Sequence, residues 1–493
     1  MTTACVTREE AAKFIDQEFA RPQSNKVLHA HPSPMYWAPN DGQAESRWAQ
    51  RMEIAKATPL ADNFYLGLPF CIPTVPSHCG FCLFPTQDYK GNSGMQTYLE
   101  YLEREAELYA PFLANDRLSS MYVGGGTPNL LKAEDYGRLT AIAEKLYGKI
   151  PDDVERTIEG IPQLFSKDKV DAIRAAGFNR VSMGVQQMSD KLIKYSGRRQ
   201  THRQVMDALD HFNAAKLAVN VDLIYGWPEQ TVADMLRDLG ELVDQGVRHI
   251  THYQLNIAGR SDFSKAQREL LPSLETTIDM YKESCAFLRS KGYRQATVYD
   301  WEKVESMPGR FESPNADRYQ YEQNLRDFLH ADDQSVTETR NMIGLGYAGV
   351  SFPFTWPVQG GPNWSQMNLR NLDAYFQSID AGKLPVEKQF LYNKEDLKLA
   401  WLFQSMQSMT IDLHNYAVAF GADLLHDYAP IFDELHKRSW IEIDAKQVRF
   451  IGLGEFFIPM IQALFSYARL NEMRGGLKQI VEGKKIINIL ETA

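Results

Sequence analysis

Residues 68–82 read LPFCIPTVPSHCGFC and hold three of the chain's five cysteines, Cys71, Cys79 and Cys82. Thiolates are soft ligands that select zinc or iron–sulfur clusters. A structural zinc site wants four ligands, usually in paired spacings such as two CxxC units. Here a single CxxC stands beside one distant cysteine, and His78 adjoins Cys79 and would strain to reach the same ion. Inert buried thiols explain isolated cysteines such as Cys5 and Cys285, but not three within twelve residues. The remaining reading is a four-iron cluster held by three cysteines, with one iron open to an exchangeable ligand.

The apolar run just before this stretch, NFYLGL, is the first of six; SSMYVGG, ERTIEG, NRVSMGV, LAVNVDLIYG and HITHYQL follow. Between them TYLEYLEREAELYAPFL, KAEDYGRLTAIAEKLY, DKVDAIRAAG, RQVMDALDHFNAAK and VADMLRDLGELVDQG carry helical periodicity. This alternation predicts an α/β fold of right-handed βαβ units on a parallel sheet. Six units before about residue 255 are too few for an eight-fold barrel, so a partial, open (β/α)6 barrel over 61–300 is expected. Such barrels bind ligands at the carboxyl ends of their strands.

Residues 1–60 read as an irregular lead-in, with HAHPSPMYWAPNDG wrapping a surface and His29 and His31 as surface or turn residues. Residues 301–393, which include IGLGYAG and FPFTWPVQGGPNW, form a barrel extension and connecting segment. Residues 394–493 predict a mostly helical, winged-helix-like accessory domain, with a hairpin turning at Asp444–Lys446 and a helix over EFFIPMIQALFSYARL.

The 493 residues are 44% hydrophobic and 24% charged, the balance of an ordinary soluble globular chain. A net charge of −10 argues against a nucleic-acid partner. MTTACVTREEAAKF lacks the basic-then-apolar order of a secretory signal. No apolar run approaches the ~20 residues that span a bilayer. Clustered cysteines fit a reducing compartment, so a cytoplasmic protein without a membrane partner is expected.

The stretches YLGLPFC, CGFC, YVGGGTP, TIEGIP, GFNRVSMGVQ, SGRRQ, VDLIYGWPEQ and IGLGYAG occur in the order seen in one family. The chain resembles radical S-adenosylmethionine (SAM) enzymes, and among them the group of oxygen-independent coproporphyrinogen dehydrogenase, over roughly residues 60–350. The resemblance implies a [4Fe-4S] cluster on Cys71, Cys79 and Cys82, whose open iron is chelated by the amino and carboxylate groups of SAM. An electron from the cluster then breaks the sulfonium C–S bond, giving a 5′-deoxyadenosyl radical that abstracts substrate hydrogen. It also implies an electron donor such as flavodoxin or ferredoxin.

Site roles carry over by position. Tyr65 matches a tyrosine close to SAM, and Phe81 an aromatic on the adenine side. Gly124, Gly125 and Gly126 match the glycine motif beside the methionyl amino group, where a Cβ would block close approach. Glu159 matches a carboxylate near the methionyl end, Gln186 a ribose contact and Asp222 an acid of the SAM pocket. Arg198 matches the arginine that pairs with the SAM carboxylate, for which a guanidinium fork suits a planar anion. Taken alone, Glu159, Gln186 and Asp222 read sooner as groups that cap a helix or satisfy buried backbone. Their shared strand-end position and family order favour the ligand reading.

Three departures stand out. The family spacing is CxxxCxxC, whereas this chain has seven residues, IPTVPSH, between its first two cysteines. The usual YxHIPFC reads YLGLPFC, so Gly67 replaces a histidine, and the longer loop is expected to use the vacated space. CGFCLFPT also lacks the further cysteine of true coproporphyrinogen dehydrogenases, and no HNxxYW-type segment of the haem-chaperone branch is present. The pattern is similar to the anaerobic haem-utilisation branch, related to class C methyltransferases that use two SAM molecules. The leading expectation is radical C-methylation or alkylation of a small molecule such as a tetrapyrrole. The alternatives are decarboxylation of porphyrinogen propionates, methylation or cyclopropanation of a specialised metabolite, and a non-enzymatic haem-binding or cluster-delivery role.

Overall fold

Each of the six apolar runs forms a strand: β1 Ala61–Leu68, β2 Arg117–Gly125, β3 Glu155–Gly160, β4 Arg180–Gln186, β5 Ala218–Tyr225 and β6 His249–Gln254. The structure is a computed structural model that describes residues 5–20, 25, 30–58, 60–257, 268–304, 340–355 and 361–482. The helical runs form α1 Asn92–Leu113, α2 Tyr136–Tyr147, α3 Lys167–Ala175, α4 His202–Ala214 and α5 Val232–Asp244. Capping boxes at Thr201 and Thr231 start α4 and α5 by satisfying the first free N–H groups.

Neighbouring strands from β1 to β6 all pair in parallel. Covered by helices on one side and filled by side chains on the other, they are buried along nearly their whole length. The breaks in that burial are informative. Tyr65 in β1, Glu159 in β3 and Asp222 in β5 are the single residues of their strands that keep some exposure.

The sheet remains open. Two antiparallel strands, β7 Tyr293–Gln295 and β8 Asp300–Lys303, extend it beyond β6. On the other side β9 Arg340–Gly346 pairs in parallel with β1, so the barrel sheet draws a strand from beyond residue 300. The order is β9-β1-β2-β3-β4-β5-β6-β8-β7. IGLGYAG ends β9 and turns tightly, because a Cβ on Gly344 would lie 2.3 Å from the Val350 carbonyl oxygen. Residues 356–360, within FPFTWPVQGGPNW, lie outside the described residues.

The lead-in departs from the irregular segment expected. It contains two helices, Arg8–Phe19 and Ala44–Ala57. The first begins at a Thr7–Glu10 capping box, and the second buries Trp48 completely. His31 is corrected from a surface residue to a buried one. Its Nε2 faces Asp396 Oδ1 at 3.4 Å, and Asp396 in turn takes Arg469 on both oxygens at 2.8 and 3.0 Å. The His31 contact ties the lead-in to helix Lys394–Gln407, which the Asp396–Arg469 ion pair joins to helix Ile458–Glu482. His31 is thus anchored rather than on the surface. His29 lies outside the described residues.

The C-terminal region has the winged-helix-like form expected. Helices Lys394–Gln407, Leu413–Phe420 and Ala429–Lys437 accompany a small sheet of Thr410–Asp412, Gln447–Phe450 and Ile441–Ile443, in that order. Its hairpin turns where expected, with Asp444 Oδ1 accepting the N–H groups of Lys446 and Gln447. Among the described residues no helix is long and apolar enough to cross a membrane.

Candidate active site

The cysteine loop leaves β1 at Leu68 and is clipped shut at its base. Phe70–Cys71 pairs in parallel with Gln87–Asp88, and the N–H groups of Gln87 and Tyr89 donate to the carbonyls of Pro69 and Cys71, both at 2.8 Å. Within the loop His78, Cys79 and Gly80 are all left-handed, at φ 50°, 55° and 77°, which turns the chain back sharply. The Cys82 N–H then reaches the His78 carbonyl at 3.0 Å. Thr74 Oγ1 accepts the Cys79 N–H at 2.9 Å and donates to the Pro76 carbonyl at 2.7 Å. Phe81 packs edge-on against Trp227, 5.5 Å between centroids, within a small apolar cluster of Ile224, Leu255 and Ile257 at the ends of β5 and β6.

The inserted residues have a partner that was not visible in the sequence. A Cβ on Gly197, itself at φ 67°, would lie 2.3 Å from the Val75 carbonyl oxygen. The backbone of the insertion therefore rests on the SGRRQ segment that carries Arg198. Gly67 plays no part in this. The three atoms nearest to a Cβ there are the carbonyl oxygens of Tyr347 and Leu345 at 3.3 and 3.4 Å and a Tyr65 ring carbon at 3.6 Å. The space left by the missing histidine faces the returning strand β9, not the longer loop.

The strand ends and the loop enclose a cavity of about 490 Å³. Cys71, Cys79, Cys82, Phe81, Gly125, Gly126, Glu159, Gln186, Arg198 and Asp222 all line it. Tyr65 and Gly124 stand beside Glu159. The Tyr65 ring stacks on Tyr122 at 6.1 Å and 12°, and a Cβ on Gly124 would sit 2.8 Å from Glu159 Oε2 and 3.0 Å from the Tyr65 hydroxyl. Gly124 thus makes room for a carboxylate. The two following glycines make room for the chain itself, since a Cβ would meet the Leu68 carbonyl oxygen at 2.8 Å from Gly125 and that of Phe70 at 2.4 Å from Gly126. The N–H groups of Gly126 and Thr127 donate to those same two carbonyls at 2.7 Å. The glycine turn is thereby stitched to the start of the cysteine loop.

Two carboxyl groups are held in the cavity wall. Glu159 accepts the Tyr122 hydroxyl at 2.9 Å and the Gly125 N–H at 3.2 Å. Burial, with the Asp222 charge adding to it, raises its pKa to about 7. Burial likewise raises Asp222 to about 6, against the stabilising Asn220 amide that donates at 2.6 Å. Arg198 is fixed by the chain: its Nε donates to Gln200 Oε1 at 2.9 Å and its Nη2 to the Gly184 carbonyl. Gln186 adopts φ 68° at a register shift between β4 and β5, which brings its amide against Gly184 beside Arg198. A glutamine held in that region is strained, as functional positions often are.

Sequence reasoning passed over other lining residues, among them Thr127, Gln163 and Arg199. Arg199 is exposed and makes no ion pair among the described residues. Its signal was in plain view, next to Arg198 in SGRRQ, but a neighbouring arginine has no spacing rule to mark it.

The donor set fits a cluster better than a lone ion. Among the described residues no three His, Cys, Asp or Glu side chains are gathered to hold one ion, which draws thiolates to within about 2.3 Å. Yet all three thiols face one cavity, and the charges of Cys71 and Cys79 reach Cys82. Burial pushes the Cys71 thiol up and the Cys82 thiol to about 11, so a cationic iron centre is what would keep them as thiolates.

Comparison with known proteins agrees with this geometry. Residues 74–242 match the radical SAM superfamily. The chain is 30% identical to the anaerobilin synthase of Escherichia coli O157:H7, across 70% of this chain and 71% of that one. It is 28% identical to the oxygen-independent coproporphyrinogen III oxidase of Escherichia coli K12, across 82% and 85%. The solved structure of Escherichia coli coproporphyrinogen III oxidase, HemN, superimposes with a TM-score of 0.72 over 89% of this chain and 96% of that one, at 22% identity. An open parallel barrel, a three-cysteine loop over its mouth and these relatives together identify the chain as a radical SAM enzyme of the HemN-like family, which uses a [4Fe-4S] cluster and SAM.

Proposed function

We propose that this enzyme uses a SAM-derived radical to C-methylate or otherwise alkylate a carboxylate-bearing tetrapyrrole in the cytoplasm, drawing its electron from a donor such as flavodoxin or ferredoxin. The observation that carries the reading is the convergence of the three thiols and the Glu159, Gln186, Arg198 and Asp222 side chains on one cavity. When bound, the reduced cluster supplies the electron that cleaves the SAM sulfonium C–S bond to yield the hydrogen-abstracting radical.

In this reading Cys71, Cys79 and Cys82 hold three irons. Arg198, locked by Gln200 and the Gly184 carbonyl, meets the SAM carboxylate with its remaining N–H groups. Glu159, ionised above its pKa, faces the cationic methionyl end, and Asp222 lies behind it. Gln186 takes the ribose, and Phe81 shields the adenine side while keeping water from the reacting centre. Tyr65 lies close to SAM, its ring stacked on Tyr122, which donates to Glu159. The exposed Arg199 at the mouth supplies a cation for a substrate carboxylate. Two relatives bear the names of a bilin synthase and a porphyrinogen oxidase, which supports a tetrapyrrole as the substrate class.

The test is product analysis. Cluster-loaded protein is given SAM, a reductant and candidate tetrapyrroles without oxygen. 5′-Deoxyadenosine formed together with S-adenosylhomocysteine supports methyl transfer. 5′-Deoxyadenosine alone, with carbon dioxide released from coproporphyrinogen, replaces it with propionate decarboxylation.

A further inference from the structure

Thr127 follows the three glycines and has no part in the roles derived above. It is 5% exposed, and its N–H donates to the carbonyl of Phe70, the residue just before Cys71. Its hydroxyl lies 3.5 Å from Cys71 Sγ, an ordinary separation for a hydrogen bond to sulfur, and no other acceptor for it occurs among the described residues. The other two sulfurs are served differently. Cys82 has a backbone donor, the Phe84 N–H. Thr74 Oγ1 comes within 4.0 Å of Cys79 Sγ, but its proton is already committed to the Pro76 carbonyl at 2.7 Å. Thr86 also hydrogen-bonds Cys71, but its Oγ1 is shared with His78 Nδ1 at 3.0 Å, whereas Thr127 directs its hydroxyl at Cys71 alone.

A thiolate that accepts a hydrogen bond carries less charge. A reduced cluster holds one more electron than an oxidised one and so gains more from the donor. Hydrogen bonds to cluster sulfurs therefore raise the reduction potential, most strongly where solvent is excluded. The place of the donor matters here, because an aliphatic side chain at that point would leave Cys71 with Thr86 as its one side-chain partner among the described residues.

We infer that Thr127 is a positioning residue that donates its hydroxyl hydrogen bond to Cys71 and makes the bound cluster easier to reduce. This rests on the reading of Cys71, Cys79 and Cys82 as the ligands. The test compares wild type, Thr127→Val and Thr127→Ser after anaerobic loading, by iron and sulfide content and by a redox titration followed with electron paramagnetic resonance. Valine keeps the branched shape and the N–H to Phe70 and deletes only the hydroxyl. The expected result is equal iron content, a midpoint shifted to more negative potential in Thr127→Val, and a midpoint restored in Thr127→Ser. An unchanged midpoint in a fully loaded Thr127→Val, or a Thr127→Ser shifted as far as valine, overturns the inference. So does cluster loss in Thr127→Val with normal loading in Thr127→Ser, which would make the hydroxyl a fastener for the loop instead of a tuning group. A wild-type chain that takes up no four-iron cluster would sink the ligand reading itself, a separate failure.

Discussion

The two walls of the cavity are built on opposite plans. The strand-end wall, with Glu159, Asp222 and Arg198, grows from a parallel sheet whose side chains are buried on both faces, and each polar group in it has protein partners. The cysteine wall is a loop held by a few fasteners: the Phe70–Cys71 ladder, Thr74 on Cys79, Phe81 on Trp227 and Val75 on Gly197. Apolar side chains stand out from it, with Val75 90% and Leu83 61% exposed. The strand wall can hold charges at defined positions because the sheet is rigid. The loop is held at a few points, so cluster retention depends on single contacts.

The largest effect separates the walls outright. Replacing Cys71, Cys79 or Cys82 by Ala removes one of the three proposed ligands, and among the described residues no other cysteine lines the cavity. Iron content should fall to near background and 5′-deoxyadenosine should vanish, while thermal unfolding of the barrel stays close to wild type. A variant that kept full iron and full SAM cleavage would break the assignment of that wall.

Next comes the fastener at Gly197. An alanine there must adopt φ 67° with a Cβ placed 2.3 Å from a backbone oxygen of Val75. The left-handed backbone alone costs about 1–2 kcal/mol, and moving packed backbone about 1–3 kcal/mol more. Gly197→Ala should load substantially less iron than wild type and also weaken SAM binding, because Val75 and Arg198 flank the same glycine. Equal iron content measured beside wild type would show that the insertion does not brace the cluster loop.

These contrasts also show what the sequence could carry. The six strands and five helices of the barrel were legible because burial on both faces and on one helix stripe leaves distinct periods. The cysteines were legible because they cluster within twelve residues, and the strand-end polar groups because they match the family's motifs in order. Contacts across long separations were not. Nothing in IPTVPSH points to Gly197, and nothing in Gly67 points to Tyr347 rather than to the adjacent loop. The lead-in was misread because Pro and His composition mimics a surface segment, whereas His31 is buried by the distant pair Asp396 and Arg469.

The strand wall is tested by pH. Glu159 has its folded pKa raised by burial from an ordinary 4.5 to about 7. Across that window the fold holds a proton the unfolded chain has lost, so Glu159 costs stability as pH climbs through it. SAM brings positive charge and needs the ionised form. Its affinity should therefore weaken by up to about tenfold per pH unit below about 7, read by equilibrium dialysis on loaded protein. Glu159→Gln should bind weakly at every pH and flatten that profile. A slope that survives in the glutamine variant would move the titration to another group, Asp222 being the nearest buried candidate.

The smallest effect lies at the rim. Arg199 is exposed, so its pairing with a substrate carboxylate is screened by water and salt, and exposed ion pairs are worth at most about a fivefold change in binding. Arg199→Ala should raise KM for a propionate-bearing tetrapyrrole by roughly that factor at low salt and leave kcat and iron content alone. Adding salt to wild type should close the gap, and a substrate with esterified carboxylates should not distinguish the two enzymes. Arg198→Ala, one residue away but braced on the strand wall, should instead weaken SAM binding whatever the substrate. If the two variants behaved alike, the rim would belong to the cofactor and the substrate cation would have to be sought elsewhere in the cavity.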